Sequence, residues 1–434
     1  MNNFIKLKPS YLKSGELNLP GSKSISNRVL LLSSLANGNT VIKNLLFSDD
    51  TEVMISALKT LGINIKENKK LSECIISGSI NSFPVKKADL YIGNAGTAIR
   101  PLTAALAFNN GDYKLYGTKR MHERPIKDLI DSLNSIGANI EYLNEYGYPP
   151  IQIKKINHNT NKVIVKGNVS SQFLSSLILS STIFSKNKDF KIYVDGDLIS
   201  QPYVNITLKL MNLFGVKIYE KKNKIFTISS NQILNSPKEI NIESDASSAS
   251  YFLAAAAIGG GSLKVNGIGS KSIQGDIQFI KILEKMGATI KVKNNFIEVS
   301  SDKVLKPINE DLNHIPDAAM TLAILSLYAD GVSVLKNIGS WRVKETDRLK
   351  AMSTELRKVG AKIIEGKDFL QIEPPLKIKN ASIDTYEDHR MAMCFSLVSL
   401  NSYNKKGGII KINDPNCVSK TFPDYFDYFK KILK

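Results

Sequence analysis

The chain has 434 residues, of which 43% are hydrophobic and 23% are charged, and its formal net charge is +18. That composition is ordinary for a globular protein, and the length is sufficient for two domains. No apolar run approaches the ~20 residues of a membrane-spanning helix, so a membrane protein is excluded. The lysines are spread along the chain without a dense basic tract, which favours small anionic substrates over nucleic acid.

Cysteine and histidine are too scattered for a disulfide framework or a zinc site, so we expect reduced thiols and no metal. These residues are Cys74, Cys394, Cys417, His122, His158, His314 and His389. Residues 1–14 carry lysines but no apolar segment typical of a signal peptide. We therefore expect a cytoplasmic protein.

In chain order, six helices rich in Leu and Ala begin at spacings of 73, 76, 74, 72 and 72 residues. Ser, Asn or Asp side chains near most of these starts can accept hydrogen bonds from the free N–H groups of a first helical turn. The predicted starts are near Gly21, Asn94, Ser170, Ser244, Pro316 and Asp388.

Amphipathic helices alternate with this series, and five of them end at a glycine. The glycines are separated by 75, 78, 72 and 73 residues: Gly62, Gly137, Gly215, Gly287 and Gly360. Glycine after the last apolar position is the usual left-handed cap of a helix. The alternating stretches that follow the glycines predict pairs of strands.

The regular spacing predicts an α/β protein of six repeated units, each with a buried helix, an amphipathic helix and several strands. A sixth glycine would fall near residue 434, where the chain stops. We therefore expect residues 1–20 to supply the missing strands of the sixth unit. The predicted domains are residues 21–240 and residues 1–20 plus 241–434, so the chain would cross between domains twice.

The starts of the buried helices point to an anion site. A helix N-terminus attracts phosphate or carboxylate, and three parallel helices in each domain would direct three such ends to one face. Stability favours acidic residues there, yet Lys23, Arg28 and Arg390 lie in or near first turns, and Arg124 precedes Pro125 at a predicted N1 position. Each cation alone could be a solvated surface residue, but the set favours a binding site.

Other candidates have an ordinary structural interpretation beside the functional one. Ser170, Ser171 and Gln172 could simply cap a helix, and Gly96 could serve packing or close approach to a ligand. In residues 341–348, which we expect to begin a helix, Glu345 and Arg348 could form a local ion pair.

Asp317 after Pro316 could be a routine carboxylate at a helix start. In a cationic cleft, however, Asp317 and Glu345 would suit proton transfer. Lys420 has no local argument beyond its charge.

Motifs along nearly the whole chain carry a family resemblance. They are residues 19–24 (LPGSKS), 93–98 (GNAGTA) with Arg100 and Pro101, 123–125 (ERP), 170–173 (SSQF), 315–319 (IPDAA), 342–348 (RVKETDR), 388–392 (DHRMA) and 420–424 (KTFPD). In this order they resemble the EPSP synthase (3-phosphoshikimate 1-carboxyvinyltransferase) family.

The resemblance implies a two-domain enolpyruvyl-transferase-like fold with three βαβαββ units per domain and a two-stranded hinge, whose domains close over the substrates. It implies addition of the 5-hydroxyl of shikimate 3-phosphate to phosphoenolpyruvate (PEP), followed by loss of phosphate. It also implies a monomer without metal or cofactor, sensitive to glyphosate at the PEP site.

Site residues follow from the same resemblance. For shikimate 3-phosphate they are Lys23, Ser24, Arg28, Ser170, Ser171, Gln172, Ser200, Tyr203, Asp317, Ser340 and Lys344. For PEP they are Lys23, Asn94, Gly96, Arg124, Gln172, Arg348, Arg390 and Lys420. For proton transfer they are Lys23, Asp317 and Glu345, whose order of action stays open. Ser340 departs from the Asn that family members often have, and its shorter side chain puts that contact in doubt.

Two alternatives remain at this stage. The sister transferase that acts on UDP-N-acetylglucosamine typically carries a reactive cysteine in a loop of its first domain, and residues 117–125 contain none. A nucleic-acid-binding protein or non-catalytic scaffold would explain the charge, but Lys23, Asp317 and Glu345 together argue against lost catalysis.

Overall fold

The computed structural model describes residues 4–155, 161–185 and 188–434, so His158 lies outside the described residues. The chain divides into two compact units, at the junctions 20/21 and 242/243. We call Gly21–Ile242 the central unit, and the residues up to Pro20 with Glu243–Lys434 the terminal unit. Among the described residues, no helix has both the length and the apolar character needed to cross a membrane.

The helices in chain order are α1 (Lys23–Leu35), α2 (Asp49–Thr60), α3 (Gly96–Leu106), α4 (Lys127–Ser135), α5 (Ser171–Leu179), α6 (Ser181–Phe184), α7 (Gln201–Leu213), α8 (Ala246–Gly259), α9 (Phe279–Lys285), α10 (Ala319–Leu325), α11 (Arg348–Lys358), α12 (His389–Ser396) and α13 (Tyr425–Lys431).

The strands in chain order are β1 (Phe4–Leu7), β2 (Gly15–Asn18), β3 (Asn39–Lys43), β4 (Asn64–Asn68), β5 (Glu73–Ser77), β6 (Lys87–Tyr91), β7 (Asp112–Tyr116), β8 (Asn139–Tyr142), β9 (Ile151–Lys154), β10 (Lys162–Lys166), β11 (Phe190–Asp195), β12 (Ile218–Lys221), β13 (Ile225–Ile228), β14 (Glu239–Asn241), β15 (Ser262–Asn266), β16 (Thr289–Val292), β17 (Phe296–Ser300), β18 (Asn309–Asp311), β19 (Ser333–Lys336), β20 (Lys362–Glu365), β21 (Leu370–Glu373), β22 (Ala381–Ile383) and β23 (Ile410–Asn413).

One topology recurs in the sheets. In the order β6-β7-β9-β8, the first pair is parallel and the next two pairs are antiparallel. The parallel pair requires a crossover, which α3 provides, and the antiparallel pair β8 and β9 needs only a short connection. The sheets β10-β11-β13-β12 and β18-β19-β21-β20 repeat this order. The sheets β14-β3-β5-β4 and β2-β15-β17-β16 do so as well. Within the described residues, five of the six repeated units predicted from the spacing therefore share one pattern, in line with the βαβαββ units that the family resemblance implies.

Two strands, β2 and β14, pair with strands that are far from them in the sequence. β2 precedes α1 but pairs in parallel with β15, where Leu17 lies opposite Val265. β14 precedes α8 but pairs in parallel with β3, where Ile240 lies opposite Ile42. Each unit therefore completes one sheet with the strand that leads out of it toward the other unit.

The N-terminal segment completes the sixth repeat, as the spacing predicts, but only in part. β1 pairs antiparallel with β23 in the sheet β1-β23-β22. β2 belongs instead to the sheet of the fourth repeat. The expectation that residues 1–20 supply the missing strands of the sixth repeat is therefore confirmed for β1 and wrong for β2, which pairs in parallel with β15 instead.

The six buried helices begin within three residues of the predicted starts, at α1, α3, α5, α8, α10 and α12. None of them carries an acidic residue in its first turn. The five repeat glycines have φ of 90°, 100°, 83°, 102° and 103°, which confirms the predicted left-handed caps.

Two local predictions of helix starts are wrong. Pro125 is not at N1, because the Ile126 N–H bonds to the Gly147 carbonyl at 3.0 Å and α4 begins one residue later. The segment from Trp341 does not begin a helix either, since Gly339–Val343 is a 3₁₀ turn. The Asp347 carboxylate accepts from Lys350 N at 3.1 Å and fixes the start of α11 at Arg348.

We predict that the left-handed caps carry a measurable share of stability. Gly287→Ala should lower the free energy of unfolding by about 1 kcal/mol, because its φ of 102° strains a residue with a Cβ. No atom lies within 4 Å of the added Cβ, so backbone strain is isolated from steric clash. Urea unfolding monitored by circular dichroism measures the change.

Gly15→Ala is the matched control, because its added Cβ also meets nothing within 4 Å and its φ lies outside the left-handed region. We expect an unchanged or slightly raised unfolding midpoint. Equal losses of stability in both variants would contradict the role assigned to the cap.

Candidate active site

In the terminal unit, the carboxylate of Asp317 forms ion pairs with three cations. Its Oδ1 lies 3.4 Å from Lys344 Nζ and 3.0 Å from Arg348 Nη1, and its Oδ2 lies 2.9 Å from Arg390 Nη2. The Asp317 side chain is 17% exposed, and that of Arg348 is 1% exposed. The carboxylate therefore offsets repulsion among three cations that would otherwise destabilise one another.

The elements that carry these residues converge on Asp317 from different parts of the sequence. Asp317 precedes α10, and Arg348 is the first residue of α11. Trp341, which is fully buried, donates from Nε1 to the Pro316 carbonyl at 2.7 Å. This indole anchors the segment that holds Asp317 against the turn that leads to Lys344.

Arg348 also contacts two further carboxylates. Its Nη2 lies 2.8 Å from Glu345 Oε2, and its Nε donates to Asp388 Oδ2 at 2.7 Å. Asp388 in turn accepts from Arg390 N at 2.9 Å and so caps α12. The predicted pair of Glu345 and Arg348 is present, but it is one part of a buried network in which every charge has a partner.

The network shifts the pKa values of its members in opposite directions. Burial raises the pKa of Asp317, but Arg390, Lys344 and Arg348 outweigh it and hold the value well below the usual range. Burial lowers the pKa of Lys344, partly offset by Asp317. Burial also disfavours the charge of Arg348, but the carboxylates of Asp388, Glu345 and Asp317 raise its pKa overall. Asp317 is therefore an anion at neutral pH.

A further buried carboxyl group lies beside this network. Asp276 accepts a hydrogen bond from Ser247 Oγ in the first turn of α8. Burial, followed by the negative charge of Asp317, raises the pKa of Asp276 to about 6. Tyr251, also on α8, has its hydroxyl 3.1 Å from Arg390 Nη1. These residues could not be selected from the sequence, because an Asp in a helical turn has no distinctive local pattern.

In the central unit, Arg28 is a buried cation held by neutral groups. Its Nε donates to Thr207 Oγ1 at 2.8 Å, and its Nη atoms donate to the Ser24 and Tyr203 carbonyls at 2.9 and 3.3 Å. Burial lowers the pKa of Arg28 to about 10, so the guanidinium stays charged at neutral pH. Arg28 lies in the second turn of α1 rather than the first. Of the predicted residues, the structure thus brings Ser24, Arg28 and Tyr203 together.

A second group of the central unit surrounds the start of α3. Arg124 Nη1 donates to the backbone and side-chain oxygens of Asn94 at 2.8 and 2.9 Å. Arg100, which sequence analysis did not select as a site residue, donates to Gln172 Oε1. A Cβ placed on Gly96 would lie 2.7 Å from Arg100 Nη1 and 2.8 Å from Arg124 Nη2. Gly96 therefore provides the space in which two guanidinium groups approach one helix start.

Lys23, the first residue of α1, is paired within its own unit. Its Nζ lies 3.1 Å from Asp50 Oδ2 in the first turn of α2. Asp50 compensates the cation that opposes the dipole of α1, and no local pattern in the sequence predicts this partner.

The predicted serines lie at helix starts. Ser170 Oγ accepts from Gln172 N at 3.3 Å, Ser171 begins α5, and Ser200, with φ of 50°, precedes α7. The two remaining predicted residues belong to the terminal unit. Ser340 lies half-buried in the 3₁₀ turn Gly339–Val343, and Lys420 is buried at the end of a second such turn, Pro415–Lys420.

No group of three or more Asp, Glu, His or Cys residues suited to a metal ion occurs within the described ranges 4–155, 161–185 and 188–434. The carboxylates of Asp317, Glu345 and Asp388 each contact arginine instead. The arrangement is suited to binding anions and to moving protons beside them.

Comparison with known proteins assigns a family. The sequence model of the EPSP synthase (3-phosphoshikimate 1-carboxyvinyltransferase) family matches residues 8–429 of the chain. A relative named 3-phosphoshikimate 1-carboxyvinyltransferase from Janthinobacterium sp. (strain Marseille) is 55% identical over 432 residues, covering 100% of this chain and 98% of its own. One of the same name from Herminiimonas arsenicoxydans is 54% identical with the same coverage. The chain belongs to the EPSP synthase family.

Solved structures agree on the fold. EPSP synthase from Acinetobacter baumannii superposes with a TM-score of 0.83 at 24% identity, covering 100% of this chain and 98% of its own. The enolpyruvyl transferase NikO from Streptomyces tendae gives a TM-score of 0.78 at 14% identity, covering 99% and 98%. The expected enolpyruvyl-transferase-like fold is therefore confirmed. EPSP synthases are transferases of the shikimate pathway, so membership also confirms the expected class of enzyme.

The raised pKa of Asp276 yields a prediction about this EPSP synthase fold. Between about pH 4 and pH 6 the folded state binds more protons at Asp276 than the unfolded state, so this group reduces stability as pH rises through that window. Asp276→Asn removes the charge and retains an acceptor for Ser247. The gain in the free energy of unfolding of the variant over the parent chain should be larger at pH 7.5 than at pH 4.5, by on the order of 2 kcal/mol.

Thermal unfolding of the variant and the parent chain at both pH values measures this difference. Asp302→Asn, at an exposed position, is the control and should change little at either pH. A variant that loses stability equally at both pH values would contradict the raised pKa.

Proposed function

We propose that this chain transfers the enolpyruvyl group of PEP to the 5-hydroxyl of shikimate 3-phosphate. Two cation-rich groups would bind the substrates: Lys23, Arg28 and Arg124 in the central unit, and Lys344, Arg348 and Arg390 with Asp317 and Glu345 in the terminal unit. The observation that carries the proposal is the match to the EPSP synthase family over residues 8–429, which includes the residues of both groups. Buried guanidinium and ammonium groups suit two substrates that both carry phosphate and carboxylate.

Each proposed PEP-binding residue either lies at or near the start of a helix or is itself a buried cation. They are Lys23, Asn94, Gly96, Arg124, Gln172, Arg348, Arg390 and Lys420. Arginine binds carboxylate and phosphate oxygens with two parallel hydrogen bonds, and it retains its charge when buried. Arg348 and Arg390 both bind Asp317 oxygens, so an incoming anion would exchange one anionic partner for another.

The proposed residues for shikimate 3-phosphate combine hydroxyl donors at helix starts with buried cations. They are Lys23, Ser24, Arg28, Ser170, Ser171, Gln172, Ser200, Tyr203, Asp317, Ser340 and Lys344. Ser170 and Ser171 lie at the start of α5, where free N–H groups and hydroxyls favour phosphate. Within the described part of the chain, the hydrogen-bond acceptors around Arg28 are neutral hydroxyl and carbonyl oxygens, which suits an additional carboxylate ligand.

Asp317, Glu345 and Lys23 are the proposed proton-transfer groups. The 5-hydroxyl oxygen bonds to C2 of PEP and loses its proton, while C3 gains one, giving a tetrahedral intermediate. The intermediate then loses phosphate from C2 and a proton from C3, which restores the double bond. Arginine and lysine stabilise the anionic groups throughout, and the reaction needs no redox change.

The pKa of Asp317 gives a physical reason why substrate binding would prepare the site. Arg390, Lys344 and Arg348 hold that pKa low, so the carboxylate is a weak base in the substrate-free protein. When PEP takes over contacts with the arginines, their effect on Asp317 weakens and its pKa rises toward the range useful for catalysis. Binding of the anion is thereby coupled to the basicity of Asp317.

The experiment that tests this function is phosphate release from PEP with each acceptor separately. We expect turnover with shikimate 3-phosphate and none with UDP-N-acetylglucosamine. Turnover with the sugar nucleotide alone would contradict the assignment. We also propose that the protein is cytoplasmic and monomeric, and analytical ultracentrifugation measures the oligomeric state. Glyphosate should inhibit it in competition with PEP, which inhibition kinetics measures.

Glu345→Gln tests the proton-transfer role. The amide keeps the size of the side chain and an oxygen acceptor for Arg348, but it cannot take up the proton. We expect kcat to fall about 100-fold, with both KM values changed less than about threefold because binding groups remain. Glu365→Gln, which removes a carboxylate 3.2 Å from Arg342, is the control and should keep the parent kcat. An unchanged kcat in Glu345→Gln would remove Glu345 from the mechanism.

Gly96→Ala tests the PEP-binding role of the group around α3. Its Cβ would displace Arg100 and Arg124, which lie 2.7 and 2.8 Å away. We expect KM for PEP and the glyphosate inhibition constant to rise about tenfold, or about 1.4 kcal/mol, while KM for shikimate 3-phosphate changes little. Steady-state kinetics measures all three, with Gly15→Ala as the control. Equal increases in both KM values would indicate a general distortion instead.

A further inference from the structure

Glu355 is a buried carboxylate outside the proposed substrate-binding set. It lies in α11 with 0% exposure, and its partners are Lys358 Nζ at 2.8 Å, Tyr386 Oη at 2.7 Å and Asp384 N at 3.2 Å. A buried carboxylate costs free energy unless hydrogen bonds and a cation compensate it. Two of these partners belong to one short segment, residues 384–388, which suggests that Glu355 acts on that segment.

The segment contains an uncommon backbone conformation. Tyr386 and Glu387 have φ of 54° and 55°, so two consecutive residues with a Cβ occupy the left-handed region. Such residues adopt this conformation only when surrounding contacts impose it. The Asp388 N–H donates to the Thr385 carbonyl at 2.9 Å and closes the turn.

The turn leads directly into the Asp317 network. Asp388, its next residue, binds Arg348 Nε at 2.7 Å and accepts from Arg390 N at 2.9 Å. The direction in which the chain leaves the left-handed turn therefore fixes the start of α12, and with it the positions of Asp388 and Arg390.

Helix α11 holds this segment at two points. Arg348 and Glu355 are seven residues apart, which places them on one face about two turns from each other. Arg348 binds Asp388, and Glu355 binds the Tyr386 hydroxyl and the Asp384 N–H. Helix α11 therefore carries Arg348, a proposed PEP-binding residue, and also Glu355. The Glu355 carboxylate holds the turn that precedes Arg390, a second proposed PEP-binding residue.

We propose that Glu355 is a positioning residue for PEP binding, which holds the left-handed turn at Tyr386 and Glu387 so that Asp388 and Arg390 lie in register with Arg348. This inference rests on the proposed binding of PEP by Arg348 and Arg390. Glu355 itself does not contact substrate in this account.

A simpler role for Glu355 would be its ion pair with Lys358. That lysine is 34% exposed and also lies 2.9 Å from Asp384, so it retains a carboxylate if Glu355 is neutralised. Because Glu355 is fully buried, removal of this cation should cost some stability, but it leaves both hydrogen bonds from Glu355 to the turn in place. Lys358→Met should therefore leave the kinetic constants unchanged, whereas loss of the Tyr386 and Asp384 contacts should not.

Glu355→Gln is the primary test. Its amide oxygen can still accept from the Asp384 N–H, but its NH2 group then faces the Tyr386 hydroxyl, which can no longer donate to a carboxylate oxygen. The turn therefore loses its charge-assisted hydrogen bonds to α11. We expect KM for PEP to rise about tenfold, with kcat and KM for shikimate 3-phosphate within about twofold of the parent chain. Glu373→Gln, which removes a carboxylate paired with Lys362 at 2.7 Å in the same unit, is the control and should leave all three constants unchanged.

A rescue variant separates positioning from general stability. Glu387→Asn places a residue that tolerates the left-handed region at an exposed position of the turn. In the Glu355→Gln background it should restore most of the lost PEP affinity. Tyr386→Phe, which removes a single hydroxyl contact, should raise KM for PEP in the same direction by a smaller factor, and it serves if Glu355→Gln does not fold.

The outcomes distinguish this inference from the proposed function. If the parent chain releases no phosphate from PEP with shikimate 3-phosphate, the proposed function fails. If the parent is active and Glu355→Gln keeps its KM for PEP, the inference about Glu355 is wrong. Equal increases in both KM values, or the absence of rescue by Glu387→Asn, would likewise overturn it.

Discussion

The contact of one carboxylate with three cations is the constraint on which the terminal unit's site depends. Lys344 and Arg348 come from the segment that leads into α11, Arg390 comes from α12, and each approaches Asp317 within 3.4 Å. Without that carboxylate the cations would repel one another in a buried setting. Asp317, whose pKa these cations keep low, holds the three of them close together, and the proposed binding of an anionic substrate depends on that arrangement.

The repeated architecture explains how such a cluster forms. Each repeat delivers a buried helix whose first turn lacks acidic residues, so its N–H groups and nearby cations remain suited to anions. Asp388 and Asp245 accept from N–H groups of α12 and α8, while Ser170 accepts at α5. At these helix starts a side chain already accepts from backbone N–H groups. Starts without such a cap leave those N–H groups available to bind an anion.

The sequence predicted the repeats because they follow from local backbone chemistry. Gly287 and its counterparts must adopt positive φ where a helix ends, and apolar periodicity identifies the helices themselves. Two predicted helix starts failed for different reasons. A proline suited to N1 lies before α4 because Ile126 bonds to the carbonyl of Gly147, which is distant in sequence. α11 starts late because Asp347 caps it, which is a local contact. Partners such as Asp50, Arg100 and Asp276 could not be predicted, since they depend on side chains that meet only in the folded protein.

A crystal structure with shikimate 3-phosphate and glyphosate bound is the most direct measurement of the central claim. We expect guanidinium nitrogens of Arg348 and Arg390 to lie within about 3 Å of anionic oxygens of glyphosate, while Asp388 keeps its contact with Arg348. Glyphosate bound without contact to either arginine would contradict the claim that Asp317 holds these cations ready for the PEP site.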